Sequence, residues 1–300
     1  MKSPRRSISF AGLRDALGRH RLAIGYTCFT LAVFVVGVVA TLPHEKIARQ
    51  LIERATRSSA VGIEFRELSL RPLLGYTVRD LQILPEGKDG PTIHIDSLDA
   101  APVLTSLLLP GAPAAIDLEA RLWGGVLEAR LAGDPRGFLL ALEGENLELA
   151  EATRGLFPGG GALLGTARIA LDLEGDPRGR ELVGALSLDA AAVGLRDLLA
   201  AGFKVPNLTF ESVQLRARLD GKRLEISEFS ARGAELTLRA TGRIQLAQPL
   251  ESSILDIRFE LQIHADAPAG LRALPLLLPK RTQGDAFYKL KGTLRRPKLS

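Results

Sequence analysis

His94 and Asp96 flank Ile95, so on a strand the two side chains share one face, as a general base and the carboxylate that orients it would. Such a pair needs a nucleophile, and the chain carries no G-x-S-x-G elbow to supply one. A polar contact across two strands is the competing reading. His44 and His264 stand far from His94 in the chain, and Cys28, the single cysteine, lies inside an apolar run. Zinc sites gather cysteine and histidine around one point, and neither type is clustered here. Gly159-Gly160-Gly161 follows Pro158 but precedes no Lys-Ser/Thr pair, so it reads as a turn and not as a phosphate loop. Trp123, beside Gly124-Gly125, reads as a packed aromatic at a strand end. The expectation is a protein that is not an enzyme, with no catalytic residue, no metal and no cofactor.

The elements that would have to position any site show in the hydrophobic period. Ala234, Leu236, Leu238, Ala240, Gly242, Ile244 and Leu246 alternate with Glu235, Thr237, Arg239, Thr241, Arg243 and Gln245. Leu255, Ile257, Phe259, Leu261 and Ile263 repeat the pattern against Asp256, Arg258, Glu260, Gln262 and His264. Alternation of this kind predicts antiparallel strands with one apolar and one wet face. Leu236, Leu238, Ile244, Leu246, Leu255, Ile257, Phe259, Leu261 and Ile263 are therefore the candidate apolar groove face. The run from Ala234 to Leu246 predicts an unusually long strand.

The phase of the alternation flips between Ile116, Leu118, Ala120, Leu122 and Leu127, Ala129, Leu131, which places a hairpin turn or a bulge at Gly124-Gly125. Gly-Asp-Pro-Arg-Gly at 133–137 returns at 175–179. Asp suits the first position of a turn, Pro the second and Gly the fourth, so each copy predicts a hairpin. Asp220-Gly221-Lys222 predicts a third. Short helices are expected over 101–109, 148–157 and 195–203, and an apolar piece at 271–278 is expected to cap the sheet.

The chain is uncharged from Leu22 to Leu42. Lys2, Arg5, Arg6, Arg14, Arg19 and Arg21 precede that run, against Asp15 alone. A run of this length predicts a membrane-spanning helix with the basic side in the cytoplasm. It is longer than a secretory apolar core and no small-residue cleavage site follows it. Removing those flanking charges from the 39 bases and 34 acids of the chain leaves the remainder with 33 of each. That balance speaks against a nucleic-acid surface. The division expected is a basic cytoplasmic tail (1–21), a transmembrane helix (22–42), an amphipathic connecting helix (43–60) with Ile47, Leu51 and Ala55 on one stripe, and a periplasmic β-domain (61–300). The fold class expected is mostly β: an elongated, curved antiparallel sheet with a few short helices behind one N-terminal transmembrane helix.

This order of elements includes the stretch Leu73-Leu74-Gly75-Tyr76-Thr77-Val78-Arg79-Asp80-Leu81 and closes on Lys291-Gly292-Thr293-Leu294-Arg295-Arg296-Pro297. It resembles protein N of the bacterial type II secretion system, a family similar in turn to AsmA-like periplasmic proteins. The resemblance implies an inner-membrane anchor, a periplasmic domain, and an accessory structural role beside other type II secretion components. It implies no catalytic residue. An AsmA-like or lipopolysaccharide-transport-like module holding phospholipid or lipopolysaccharide acyl chains on the apolar face is the alternative.

Overall fold

The computed structural model describes residues 61–71, 75–85, 92–109, 111–156, 161–177, 181–197, 199–200, 203–204, 207–247, 250–265, 267–272 and 287–299. All belong to the second of two compact units, Ile52–Ser300. The strands are Val61–Glu64 (β1), Glu67–Arg71 (β2), Gly75–Pro85 (β3), Ile93–Pro102 (β4), Ala114–Leu122 (β5), Gly125–Asp134 (β6), Gly137–Glu148 (β7), Ala162–Gly175 (β8) and Leu182–Arg196 (β9). They continue with Leu199–Ala200 (β10), Phe203–Lys204 (β11), Leu208–Asp220 (β12), Arg223–Arg232 (β13), Leu236–Gln245 (β14), Ile254–Ile263 (β15), Tyr288–Thr293 (β16) and Arg296–Leu299 (β17). Among the described residues three α-helical pieces accompany them: Leu104–Leu108 (α1), Leu149–Ala152 (α2) and Ala269–Arg272 (α3).

A single 15-stranded sheet holds all but β10 and β11, which form a ribbon of their own. Its order is β1-β3-β4-β5-β6-β7-β8-β9-β12-β13-β14-β15-β16-β17, with β2 also beside β3, and every pairing is antiparallel. Most neighbours in the sheet are also neighbours in the chain, and tight turns join several of them. Leu122 pairs with Gly125 across Trp123 (φ 52) and Gly124 (φ 70). Positive φ at both central residues is the hairpin geometry that matches strand twist, so the phase flip at 122–127 is a turn, as its residues predict. Asp134 pairs with Gly137, and its Oδ1 accepts from the N–H groups of Arg136 (2.7 Å) and Gly137 (3.0 Å). In the echo of that motif, Asp176 Oδ1 accepts from the Glu181 N–H at 3.0 Å and closes the β8–β9 connection. Asp220 pairs with Arg223 around Gly221 (φ 58), the third hairpin expected.

Register keeps one face aliphatic across the sheet. Leu131, Leu140 and Leu173 are cross-strand partners in series, as are Ala129, Leu142, Leu171 and Leu186. Where the alternation would slip, a bulge restores it. Between the pairs Gly144–Ile169 and Leu147–Ala167, β7 advances one residue more than β8. Asn146 takes φ 56 there, and Leu147 returns to the apolar side. The extra residue between Ile226 and Phe229 of β13 does the same against β14. Two clusters of buried side chains result. One gathers Phe210, Val193, Leu236 and Leu271, with Leu149 of α2 against it. The other gathers Leu81, Ile95, Ala120 and Leu122, with Trp123 against it.

Several expectations are corrected. The described residues form the antiparallel sheet with short helices, and the expected transmembrane helix has no counterpart among them: no helix there is long and apolar enough to cross a membrane. The segments 1–21, 22–42 and 43–60, on which that expectation rests, lie outside the described residues, as does His44. The strand expected from Ala234 to Leu246 begins at Leu236, because the Gly233 N–H donates to the Leu236 carbonyl (2.9 Å) and closes a turn over Ala234 and Glu235. The helix expected over 195–203 is strand and ribbon instead. Leu195 is paired with both Leu163 and Leu208, which commits its backbone to the ladder. The helices at 101–109 and 148–157 shrink to α1 and α2. Of 271–278, only Leu271 and Arg272 are described, at the end of α3.

Candidate functional site: an aliphatic strip between two cores

The sheet's apolar face is not equally filled along its length. Phe210 and Leu236 are buried in the first cluster, and Leu81 and Leu122 in the second. Between them, Leu131, Leu140, Leu142, Leu171, Leu173 and Leu186 belong to neither cluster. Leu131 is 39% exposed and the other five are half-buried. They come from β6, β7, β8 and β9, so four consecutive strands present a band of γ-branched side chains. Glycines shape the band's rim. Gly175 and Gly184 stand on the same face, where Phe138, Leu182 and Leu173 fill the space a Cβ would need.

The residues expected to form the groove face share this side of the sheet further along. Leu236 pairs with Ile263, Leu238 with Leu261 and Ile244 with Leu255, while Phe259 and Ile257 face Ala240 and Gly242. Leu236 and Leu255 are buried, and Leu238, Leu261 and Ile263 pack against the first cluster. Phe259 stacks on Tyr288 with ring centroids 5.4 Å apart. Leu246 lies just past β14, its N–H donating to the Lys222 carbonyl at 2.7 Å. The eight that stand on β14 and β15 therefore lie on one side of the sheet, with Leu236, Leu238, Leu261 and Ile263 tied into the first cluster. Ile244, Leu246, Ile257 and Phe259 are half-buried and belong to neither cluster, like the six leucines of the β6–β9 band, of which Leu131 is the most exposed. That band's signal in the sequence is the alternation at Leu127, Ala129 and Leu131 and the apolar runs that follow each Asp-Pro turn.

The opposite face is polar and organised by cross-strand ion pairs. Arg130 makes a two-pronged contact with Asp117, Nε–Oδ1 2.6 Å and Nη2–Oδ2 3.0 Å. That hydrogen bonding holds the Asp117 carboxyl below the usual carboxylate range, and Asp117 raises the Arg130 guanidinium in turn. Arg216 Nη2 donates to both carboxylate oxygens of Asp189 at 2.9 Å, and Arg243 reaches Asp256 at 3.1 Å.

His94 Nε2 stands 3.4 Å from Asp96 Oδ1, with both side chains at least half exposed. It occupies a solvated strand face, not a cleft. His264 Nε2 contacts the Thr237 hydroxyl at 3.0 Å, a link between a strand end and its neighbour. Among the described residues no group of three His, Cys, Asp or Glu side chains is placed to hold a metal ion.

The fold and its surface define a single-sheet antiparallel protein with one aliphatic and one charged face. No protein-family model, no curated protein and no solved structure matches the chain. The reading as an anchored type II secretion component, and its AsmA-like lipid-handling alternative, are accordingly corrected: no comparison supports either role. The inner-membrane location and the membrane, secretion and acyl-chain partners are withdrawn too, with no membrane-crossing helix among the described residues.

Proposed function

We propose that this protein works by non-covalent binding and not by catalysis, and that the aliphatic strip on β6–β9 is the surface that binds. The observation that carries the reading is the pair of leucine rows, Leu131–Leu140–Leu173 and Leu142–Leu171–Leu186, left part-exposed between two filled cores. Apolar area removed from water is worth roughly 25 cal/mol per Å². A band of aligned leucines is therefore a favourable seat for a flat or extended apolar ligand, with shape and not hydrogen bonding setting the fit. Exposed contiguous apolar surface on a protein marks an interaction site in general. No acid–base pair, nucleophile or oxyanion cradle is needed for such a role.

The test is titration of the full-length chain with the apolar fluorophore N-phenyl-1-naphthylamine. Saturable binding is expected. Leu142→Gln with Leu171→Gln should weaken it about thirtyfold, for the loss of two apolar contacts of order 1 kcal/mol each. Leu139→Gln, on the other face, should leave it unchanged. Thermal melts of each variant show whether the sheet survives. Equal affinity for all three proteins, with folding intact, would rule the strip out.

A further inference from the structure

Like charges directly opposite one another on neighbouring strands destabilise a sheet. Over much of its polar face this protein avoids them. Asp117 faces Arg130, Arg218 faces Glu225, Glu225 faces Arg243, and Arg243 faces Asp256. At the C-terminal end the alternation fails. Lys291 faces Lys298 on β17, with Arg296 beside them, and faces Asp256 of β15 on its other side. The carboxylate closest in register, Asp256, is already engaged by Arg243.

The same face breaks the rule with the opposite sign elsewhere. Asp99, Glu119, Glu128 and Glu143 are direct cross-strand partners in series over β4, β5, β6 and β7. Arg71 lies 3.2 Å from Asp99, while Glu119, Glu128 and Glu143 are exposed and in no ion pair among the described residues. In the strand order β6 and β16 are eight positions apart. That is roughly 38 Å along the sheet at ~4.8 Å per strand. Salt screens exposed charges beyond about 8–10 Å, so the two patches cannot neutralise each other within one sheet.

We propose that the polar face docks a second copy of this chain, with the Glu119–Glu128–Glu143 row of one copy against the Lys291–Lys298 hairpin face of the other. Charge complementarity selects this occupant: the surface that answers each patch is present on the same face of the same protein. β12 lies midway between β6 and β16 in the strand order. A two-fold axis at β12 exchanges the β6 and β16 positions, the closed symmetry most homodimers use. The contact uses the face opposite the leucine strip and does not depend on what the strip binds.

The experiment mixes unlabelled and ¹⁵N-labelled full-length chain at low salt. A non-ionic detergent masks apolar association, and a water-soluble carbodiimide joins carboxylates to amines in direct contact. Mixed-isotope cross-links from Glu119, Glu128 or Glu143 to Lys291 or Lys298 are expected, falling about tenfold at high salt. E119K/E128K/E143K alone and K291E/K298E alone should each lose those links and sediment as monomers, and the two mixed should recover association. Same-isotope links only, mixed-isotope links confined to other sites, or reversed-charge chains that fold by circular dichroism but stay monomeric when mixed would overturn the proposal.

Discussion

Leu236→Ala and Leu139→Ala delete the same side-chain atoms from opposite faces of the sheet, and their costs should differ several-fold. Leu236 is 6% exposed within the cluster that holds Phe210, Val193 and Leu271, whereas Leu139 is 54% exposed on the charged face. Losing a buried leucine forfeits ~1.5–3 kcal/mol of transfer free energy. The cavity left behind adds to that, and measured Leu→Ala costs in cores run to about 2–5 kcal/mol. We expect about 3 kcal/mol for Leu236→Ala and at most ~0.5 kcal/mol for Leu139→Ala, the ordinary range for surface changes. Equilibrium urea unfolding of the full-length chain reads both. Far-ultraviolet circular dichroism follows the whole sheet, while the single tryptophan, Trp123, reports the other cluster, around Leu122. At an m-value near 3 kcal/mol/M, the first variant should lower the midpoint by about 1 M. Coincident transitions by the two probes would show that the clusters unfold together. Midpoints that fall equally in the two variants, or further for Leu139→Ala, would refute the assignment of faces.

Gly165 sits at φ 111, where an added Cβ would stand 2.6 Å from the Ala191 carbonyl oxygen and 2.7 Å from that of Ala192. The β8–β9 register shifts there, between Leu164 and Thr166; Gly165→Ala should cost about 1–3 kcal/mol from backbone strain alone, visible as a lowered melting temperature, and an unchanged melt would contradict that bulge. Leu238→Asp should unfold or aggregate the protein, because it sets an unpaired charge against the first cluster, whereas Arg239→Asp on the exposed side should fold; equal thermal stability of the two would contradict the strand phase. Asp117 should titrate below the usual carboxylate range by NMR, and in Arg130→Gln its pKa should rise toward the ordinary value. Because the folded-state value is the depressed one, the pair's contribution is present above the unfolded value near 3.9 and disappears as pH falls through the folded one. An Asp117 titration unmoved by Arg130→Gln would show the contact to be absent in solution.

Strand identity and facing were legible wherever apolar residues recur every second position, as in 236–245 and 254–263, since that period has one reading when the flanks are turns. Turn positions were legible because Asp-Pro and Gly placements carry their own dihedral requirements: Asp134, Asp176 and Gly221 all close hairpins. Helix expectations fared worse. Leu195 to Phe203 is apolar enough to read as a helix, but Leu195 pairs with β8 and β12, separated from it in sequence, and Leu199–Ala200 pairs with β11 in a ribbon. The filled and open parts of the apolar face could not be told apart from the pattern. Leu236 and Leu171 alternate in the same way, and what separates them is that Phe210, Ala267 and Leu271 converge on the first. The cross-strand rows of like charge were equally hidden, because Glu119, Glu128 and Glu143 become neighbours only through register.

The claim that the β6–β9 strip is an accessible apolar binding surface is tested most directly by photolabelling the full-length chain with an apolar diazirine probe and mapping the insertions residue by residue. Labels should concentrate on Leu131, Leu140, Leu142, Leu171, Leu173 and Leu186, and excess N-phenyl-1-naphthylamine should suppress them. Labels that fall instead on Leu139 and Val183 of the charged face, or that resist competition, would contradict it.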